Sequence, residues 1–92
     1  WAPWCGPCKA MAPAFASLAE TYKNQMIFTK CDVDINTTVA EQYGIKSIPT
    51  LMIFQGGKPI NSITGMVSQG VLEETIKKAL VGEAMPAPFI VN

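Results

Sequence analysis

Histidine and arginine are both absent from the 92 residues. Without histidine there is no Ser–His or Cys–His nucleophile pair and no imidazole to ligate a metal. Any catalysis must therefore run on cysteine, carboxylate, lysine or tyrosine. Without arginine, the usual bidentate reader of phosphate and of guanine edges is gone. Charge is scarce and balanced, with seven lysines against seven carboxylates and 15% charged residues in all. Such a chain has no general electrostatic pull toward nucleic acid or an acidic membrane, so neither is expected as a partner. No apolar run approaches the roughly 18 residues that a membrane span needs. No stretch joins a basic start to the apolar core of a signal peptide. The chain opens on Trp1 rather than Met, so an upstream segment that was removed, processed or never recorded is expected, and it could have carried a targeting signal.

What is present is a globular composition, 49% hydrophobic, sufficient for one domain and too short for two cores. A first helix is expected from the segment Cys5-Gly6-Pro7-Cys8, because Pro7 suits a first turn that needs no backbone N–H. Ala10, Met11, Ala14, Phe15, Leu18, Ala19 and Tyr22 recur at helical spacing as far as Lys23, with Pro13 expected to kink the helix. Met26–Val33 is β-branched and aromatic and predicts a strand. Asn36–Tyr43 predicts a short helix ended by Gly44. Thr50–Gln55 and Pro59–Thr64 flank Gly56-Gly57-Lys58 and predict an antiparallel hairpin. Ser68 caps a last helix whose buried stripe is Val71, Leu72, Thr75, Ile76, Ala79 and Leu80, with Glu73, Glu74, Lys77 and Lys78 facing water. After Gly82 the chain changes character: Glu83–Ala87 reads as a linker and Pro88–Asn92 as extended. The division expected is a domain over 1–82 and a tail over 83–92 that could add a strand.

Cys5 and Cys8 are the chemical centre. Three residues apart at a helix start, both sulfurs can share one face of the first turn, near enough to join. Unpaired N–H groups and the positive end of the helix dipole favour a thiolate there. Cys5, nearer the terminus, is expected to be the lower-pKa, more exposed attacking thiol, and Cys8 the resolving one. A zinc knuckle would need a second ligand pair, and Cys31 alone remains, so no metal is expected. A purely structural staple is disfavoured because Gly6-Pro7 makes an exposed tight turn. Cys31 reads as a small core residue or, less simply, a regulatory thiol. Tyr22, Tyr43 and Phe15 read as core aromatics.

The run Trp1-Ala2-Pro3-Trp4-Cys5-Gly6-Pro7-Cys8-Lys9 resembles the active-site motif of the thioredoxin family. Pro13, Lys30, Asp34, Ile48-Pro49-Thr50, Phe54, Gly57 and Gly65 follow at matching intervals, so the resemblance spans Trp1 to about Val81. It implies an α/β, thioredoxin-like three-layer sandwich with a central mixed sheet flanked by helices, here N-terminally truncated or minimal. It also implies a cis peptide at Pro49 beside the active-site disulfide. Trp4, Gly6, Pro7, Ile48, Pro49 and Gly65 would form an apolar docking surface. Lys30 would assist proton handling, although an edge lysine with its head in water is an equal reading.

Activity is implied in the same way. The expected function is a protein thiol–disulfide oxidoreductase that reduces substrate disulfides with no cofactor beyond the Cys5–Cys8 pair. A mixed disulfide forms at Cys5 and Cys8 resolves it. Partners would be disulfide-containing proteins and a thioredoxin reductase as electron donor, and the compartment the reducing cytoplasm. An oxidase or isomerase of the same fold is a weaker reading, since such relatives commonly carry histidine between the cysteines. A non-catalytic peptide-binding module or an inactive fragment is the alternative from another class.

The resemblance breaks at the start. The family places a strand, a helix and a second strand before this motif, and the chain has none of them. The missing second strand belongs between Met26–Val33 and Thr50–Gln55 and carries a buried Asp. Either the chain is partial, or Pro88–Asn92 enters that slot, from its own chain or a neighbour's, with Asn92 near the Asp position and unable to act as a base. The expected state is accordingly a monomer or a strand-exchanged dimer.

Overall fold

Cys5 begins the first element of the computed structural model, which describes residues 1–81 and 88–92. It caps α1 (Gly6–Thr21) in an extended conformation while Pro7 occupies the first turn. Pro13 is accommodated inside the helix, whose buried residues Cys8, Met11, Phe15 and Leu18 follow the predicted stripe. After Tyr22 the chain turns through a Met26 N–H bond to the Tyr22 carbonyl and enters β1 (Ile27–Thr29). Helix α2 (Thr37–Gln42) follows, ending near Gly44, whose φ of +65° is the left-handed conformation that glycine tolerates best. β2 (Thr50–Gln55) and β3 (Lys58–Thr64) form the expected hairpin across Gly56-Gly57. Helix α3 (Gln69–Val81) starts with the Ser68 hydroxyl accepting from the Val71 N–H. The final element is β4 (Phe89–Val91).

These strands make one mixed sheet in the order β1-β4-β2-β3. β4 runs parallel to β1, with Phe28 opposite Ile90, and antiparallel to β2, with Ile53 opposite Ile90. The last strand in sequence thus lies inside the sheet, pairing backbone groups that β1 and β2 would otherwise leave open. Alternation then sorts the side chains. Leu51, Ile53 and Ile90 join Met11, Phe15, Leu18, Leu72 and Ile76 in a core beneath α1 and α3. Each such buried side chain contributes roughly 1.5–3 kcal/mol. On the other face Phe54 stacks on Phe89 and meets Tyr43 edge-on. Helices therefore flank the sheet on both sides.

Several local expectations are corrected. The strand predicted over Met26–Val33 shortens to Ile27–Thr29. Met26 already belongs to the core and the turn after α1, and beyond Thr29 the regular strand gives way to separate backbone bonds of Cys31 and Val33 with Asn92 and Trp1. Ala10 and Val71 are exposed. Leu72 and Ile76, four residues apart, point into the core, and Val71 lies one residue, about 100° round the helix, from Leu72. Glu73 does not face water freely: its carboxylate accepts a 2.8 Å bond from the Tyr22 hydroxyl. The predicted linker Glu83–Ala87 and the helix end at Gly82 lie outside the described residues.

Candidate active site

The first turn of α1 presents the sulfurs. Cys5 has φ −81° and ψ 105°, so its side chain folds back over the helix start and its Sγ accepts the Cys8 N–H at 3.2 Å. A sulfur capping a helix N-terminus receives one of the otherwise unpaired donors and the positive end of the dipole, both of which favour negative charge on it. The Cys5 N–H donates to the Ala2 carbonyl at 3.1 Å, closing the preceding turn. Cys5 and Cys8 form a disulfide with their Cα atoms 5.2 Å apart.

Exposure does not distinguish the two sulfur residues. Cys5 is 4% exposed and Cys8 3%, which corrects the expectation that Cys5 stands out into solvent. Both pack in a small cluster with Ala2, against Trp1, Val33 and Ile48. The difference between them is therefore electrostatic and local, set by the cap position of Cys5.

Around this cluster the expected docking residues divide into a floor and a lip. Ile48 packs on the cluster, and the Ile48–Pro49 peptide bond is cis with Pro49 buried. The Pro49 carbonyl accepts the Gly65 N–H at 2.8 Å, where Gly65 holds φ +92°, a conformation that would strain other residues. Gly6 and Pro7 are exposed above the disulfide. Trp4, 68% exposed, lays its ring at the surface and donates its indole N–H to the Asp34 carboxylate at 2.7 Å. Asp34 is held in turn, its N–H donating to the Asp32 carboxylate at 2.9 Å.

Lys30 lies elsewhere. Its ammonium stands 4.0 Å from the centre of the Trp1 ring, a cation–π contact on the flank of the cluster. Asn92 is 3% exposed, and its side-chain oxygen is buried without a hydrogen-bond partner. Among the described residues no three histidine, cysteine or acidic side chains gather where a metal could be held, and no helix is long and apolar enough to cross a membrane. Sequence reasoning assigned no role to Ala2 or Asp34. Ala2 could have been suspected from its smallness between two tryptophans; the partnership of Asp34 with Trp4 spans thirty residues and leaves no local signal.

Comparison with known proteins matches the thioredoxin family model over residues 1–78. Thioredoxin 1 of Nostoc sp. is 46% identical over 80 residues, covering 87% of this chain and 75% of its own length. The thioredoxin of Porphyra purpurea is 45% identical over 78 residues, covering 85% and 73%. The chloroplastic M-type thioredoxin of Chlamydomonas reinhardtii is 44% identical over 80 residues, covering 87% and 57%. The family match ends before β4.

Proposed function

This chain belongs to the thioredoxin family, and on that premise we propose a residue-level account of how it reduces protein disulfides. Membership makes it a thiol–disulfide oxidoreductase whose redox couple is its own pair of sulfurs, with disulfide-containing proteins as substrates and a thioredoxin reductase as the family's electron donor.

In the proposed cycle Cys5 attacks as thiolate. Its sulfur bonds to one substrate sulfur, the substrate disulfide breaks, and the departing sulfur takes a proton from water. Cys8 then loses its proton and attacks Cys5, releasing the second substrate thiol and leaving the Cys5–Cys8 disulfide. Two electrons and two protons have passed to the substrate. The observation that carries the assignment is the cap: Cys5 Sγ, and not Cys8 Sγ, receives the N–H at the helix start. Trp4, Gly6 and Pro7 form the exposed lip against which a substrate lies, and Ile48, Pro49 and Gly65 the floor. Lys30, whose ammonium stands over the Trp1 ring on the flank of the sulfur cluster, assists proton handling through its positive charge and not by direct transfer to Cys8. Residues 1–82 form the domain and the tail 83–92 adds its strand to it. The protein works as a monomer, or as a dimer exchanging tails, in the reducing cytoplasm.

Dithiol-driven reduction of a protein disulfide tests this account. Turnover should vanish in Cys5→Ser, while Cys8→Ser should accumulate a covalent mixed disulfide with the substrate. A mixed disulfide that forms through Cys8 in the Cys5→Ser chain and not through Cys5 in the Cys8→Ser chain would reverse the two roles.

A further inference from the structure

The sheet face on which Phe54 stacks with Phe89 continues toward Pro49 as a row of smaller side chains. Side chains alternate along a strand, so Thr50 and Met52 share that face with Phe54. Across the antiparallel ladder Thr64 pairs with Thr50 and Ser62 with Met52, which places their side chains on the same face. Ser62 and Thr64 are short and exposed. Between them and the loop 43–47 lies a pocket of about 260 Å³, lined by Lys46, Ser47, Thr50, Met52, Ser62 and Thr64 together with the segment 43–45. One water needs roughly 10–15 Å³ by the same measure, so there is room for a whole side chain.

The chemistry of this pocket is one-sided. Lys46 is the sole charged residue among the described residues that line it, and neither ion pair of the described residues engages it. Ser47, Thr50, Ser62 and Thr64 supply hydroxyls. The Thr50 hydroxyl donates to the Ser47 carbonyl at 2.6 Å and ties the loop to β2. A cation with hydroxyl groups and no carboxylate suits an anionic oxygen group.

The pocket also adjoins the floor beside the disulfide. Ser47 precedes Ile48, which packs on the sulfur cluster. Thr64 precedes Gly65, whose N–H bonds to the Pro49 carbonyl. Consecutive Cα atoms are about 3.8 Å apart, and an extended peptide rises about 3.3 Å per residue. Two or three residues of an extended substrate therefore cover the span from Ile48 to Lys46.

Resting on the reading of Ile48, Pro49 and Gly65 as the substrate floor, we infer that this pocket is a specificity subsite for an acidic side chain of the protein substrate. Its occupant is an aspartate or glutamate two or three residues from the cysteine that Cys5 attacks. Lys46 supplies the opposing charge, and the hydroxyls of the pocket supply hydrogen bonds.

The test uses the Cys8→Ser chain and short peptides whose cysteine is joined to an aromatic thiol. The Cys5 sulfur bonds to the peptide sulfur and the aromatic thiolate leaves, so its absorbance gives the rate. Peptides with glutamate, glutamine or lysine at those positions are compared at low salt. Glutamate should react about two- to fivefold faster than glutamine, the range for an exposed charge contact, and lysine more slowly than glutamine. Lys46→Gln should abolish the glutamate preference, and Lys46→Glu should turn it into a preference for lysine. Ser62→Tyr, which fills the pocket with a residue that strands favour and leaves every charge in place, should abolish it too. Equal rates for glutamate and glutamine overturn the inference while leaving Cys5 as the attacking thiol. A glutamate preference that survives Lys46→Gln or Ser62→Tyr also overturns it, because the attraction would then come from the field of the whole protein. Reaction with none of the peptides would sink the assignment of Cys5, and this subsite with it.

Discussion

The indole N–H of Trp4 and the carboxylate of Asp34, thirty residues apart, are 2.7 Å from each other. Trp4 is an exposed part of the lip over the disulfide, so this bond fixes the ring's direction without burying it. Asp34→Ala should release the ring. Bonds of this kind are worth about 1 kcal/mol net, and less when exposed, so kcat/KM for a protein disulfide should fall about two- to fivefold. Reduction of a small aromatic disulfide, which needs no lip, should change little. Equal losses on both substrates would mean that Asp34 acts on the sulfurs rather than on Trp4.

Ile90 sits at the centre of the sheet, opposite Phe28 on one side and Ile53 on the other. Ile90→Ala should destabilise the chain by about 2–5 kcal/mol, the range for deleting a buried aliphatic side chain. Urea unfolding measures it. A loss below about 1 kcal/mol would show that β4 adds little to the fold in solution.

The Tyr22 hydroxyl donates to Glu73, and this bond, with burial and the charge of Glu73 adding to it, raises the phenol above its usual pKa near 10. A raised pKa gives stability that is complete below the unfolded value and is lost as pH rises through the folded one. Ultraviolet titration should place the Tyr22 phenol above its usual range, and Glu73→Gln should bring it back toward an ordinary phenol. An unchanged Tyr22 titration in Glu73→Gln would remove this cause.

The amino terminus behaves in the opposite sense. Burial lowers the Trp1 ammonium from about 8.0, and the neighbouring Lys30 acts the same way, while Cys31, Asp32 and Asp34 pull it back up. A lowered pKa means that the unfolded chain holds the proton more tightly, so stability should rise with pH through the window that ends near 8.0. Thermal melts between about pH 6 and about pH 9 should show the rise, and acetylation of Trp1 should flatten it.

Much of this architecture is readable along the chain because it is local. The Gly56-Gly57 turn joins two apolar runs whose alternation fixes the hairpin, and Pro7 with the cysteine spacing marks the start of α1. The Ile48-Pro49 bond is cis as the family resemblance implies. What sequence leaves open depends on encounters between distant residues. Pro88–Asn92 carries the alternation of a strand, but the slot it enters is defined by β1 and β2, and a short apolar tail has no local mark of its destination. The same holds for Glu73, which reads as one of four solvent-facing charges until Tyr22, 51 residues earlier, supplies a donor. The burial of Cys5 escaped for a related reason, since Ala2, Val33 and Ile48 reach it from three separate segments.

The place of β4 inside the sheet sets an order of events during synthesis. β1, α2 and the β2–β3 hairpin leave the ribosome well before residues 88–92, yet β1 and β2 meet only through β4. Chains generally fold as domains while they emerge. Here the facing edges of β1 and β2 stay open until β4 is free to enter between them, and open strand edges of this kind are prone to pair with a neighbour.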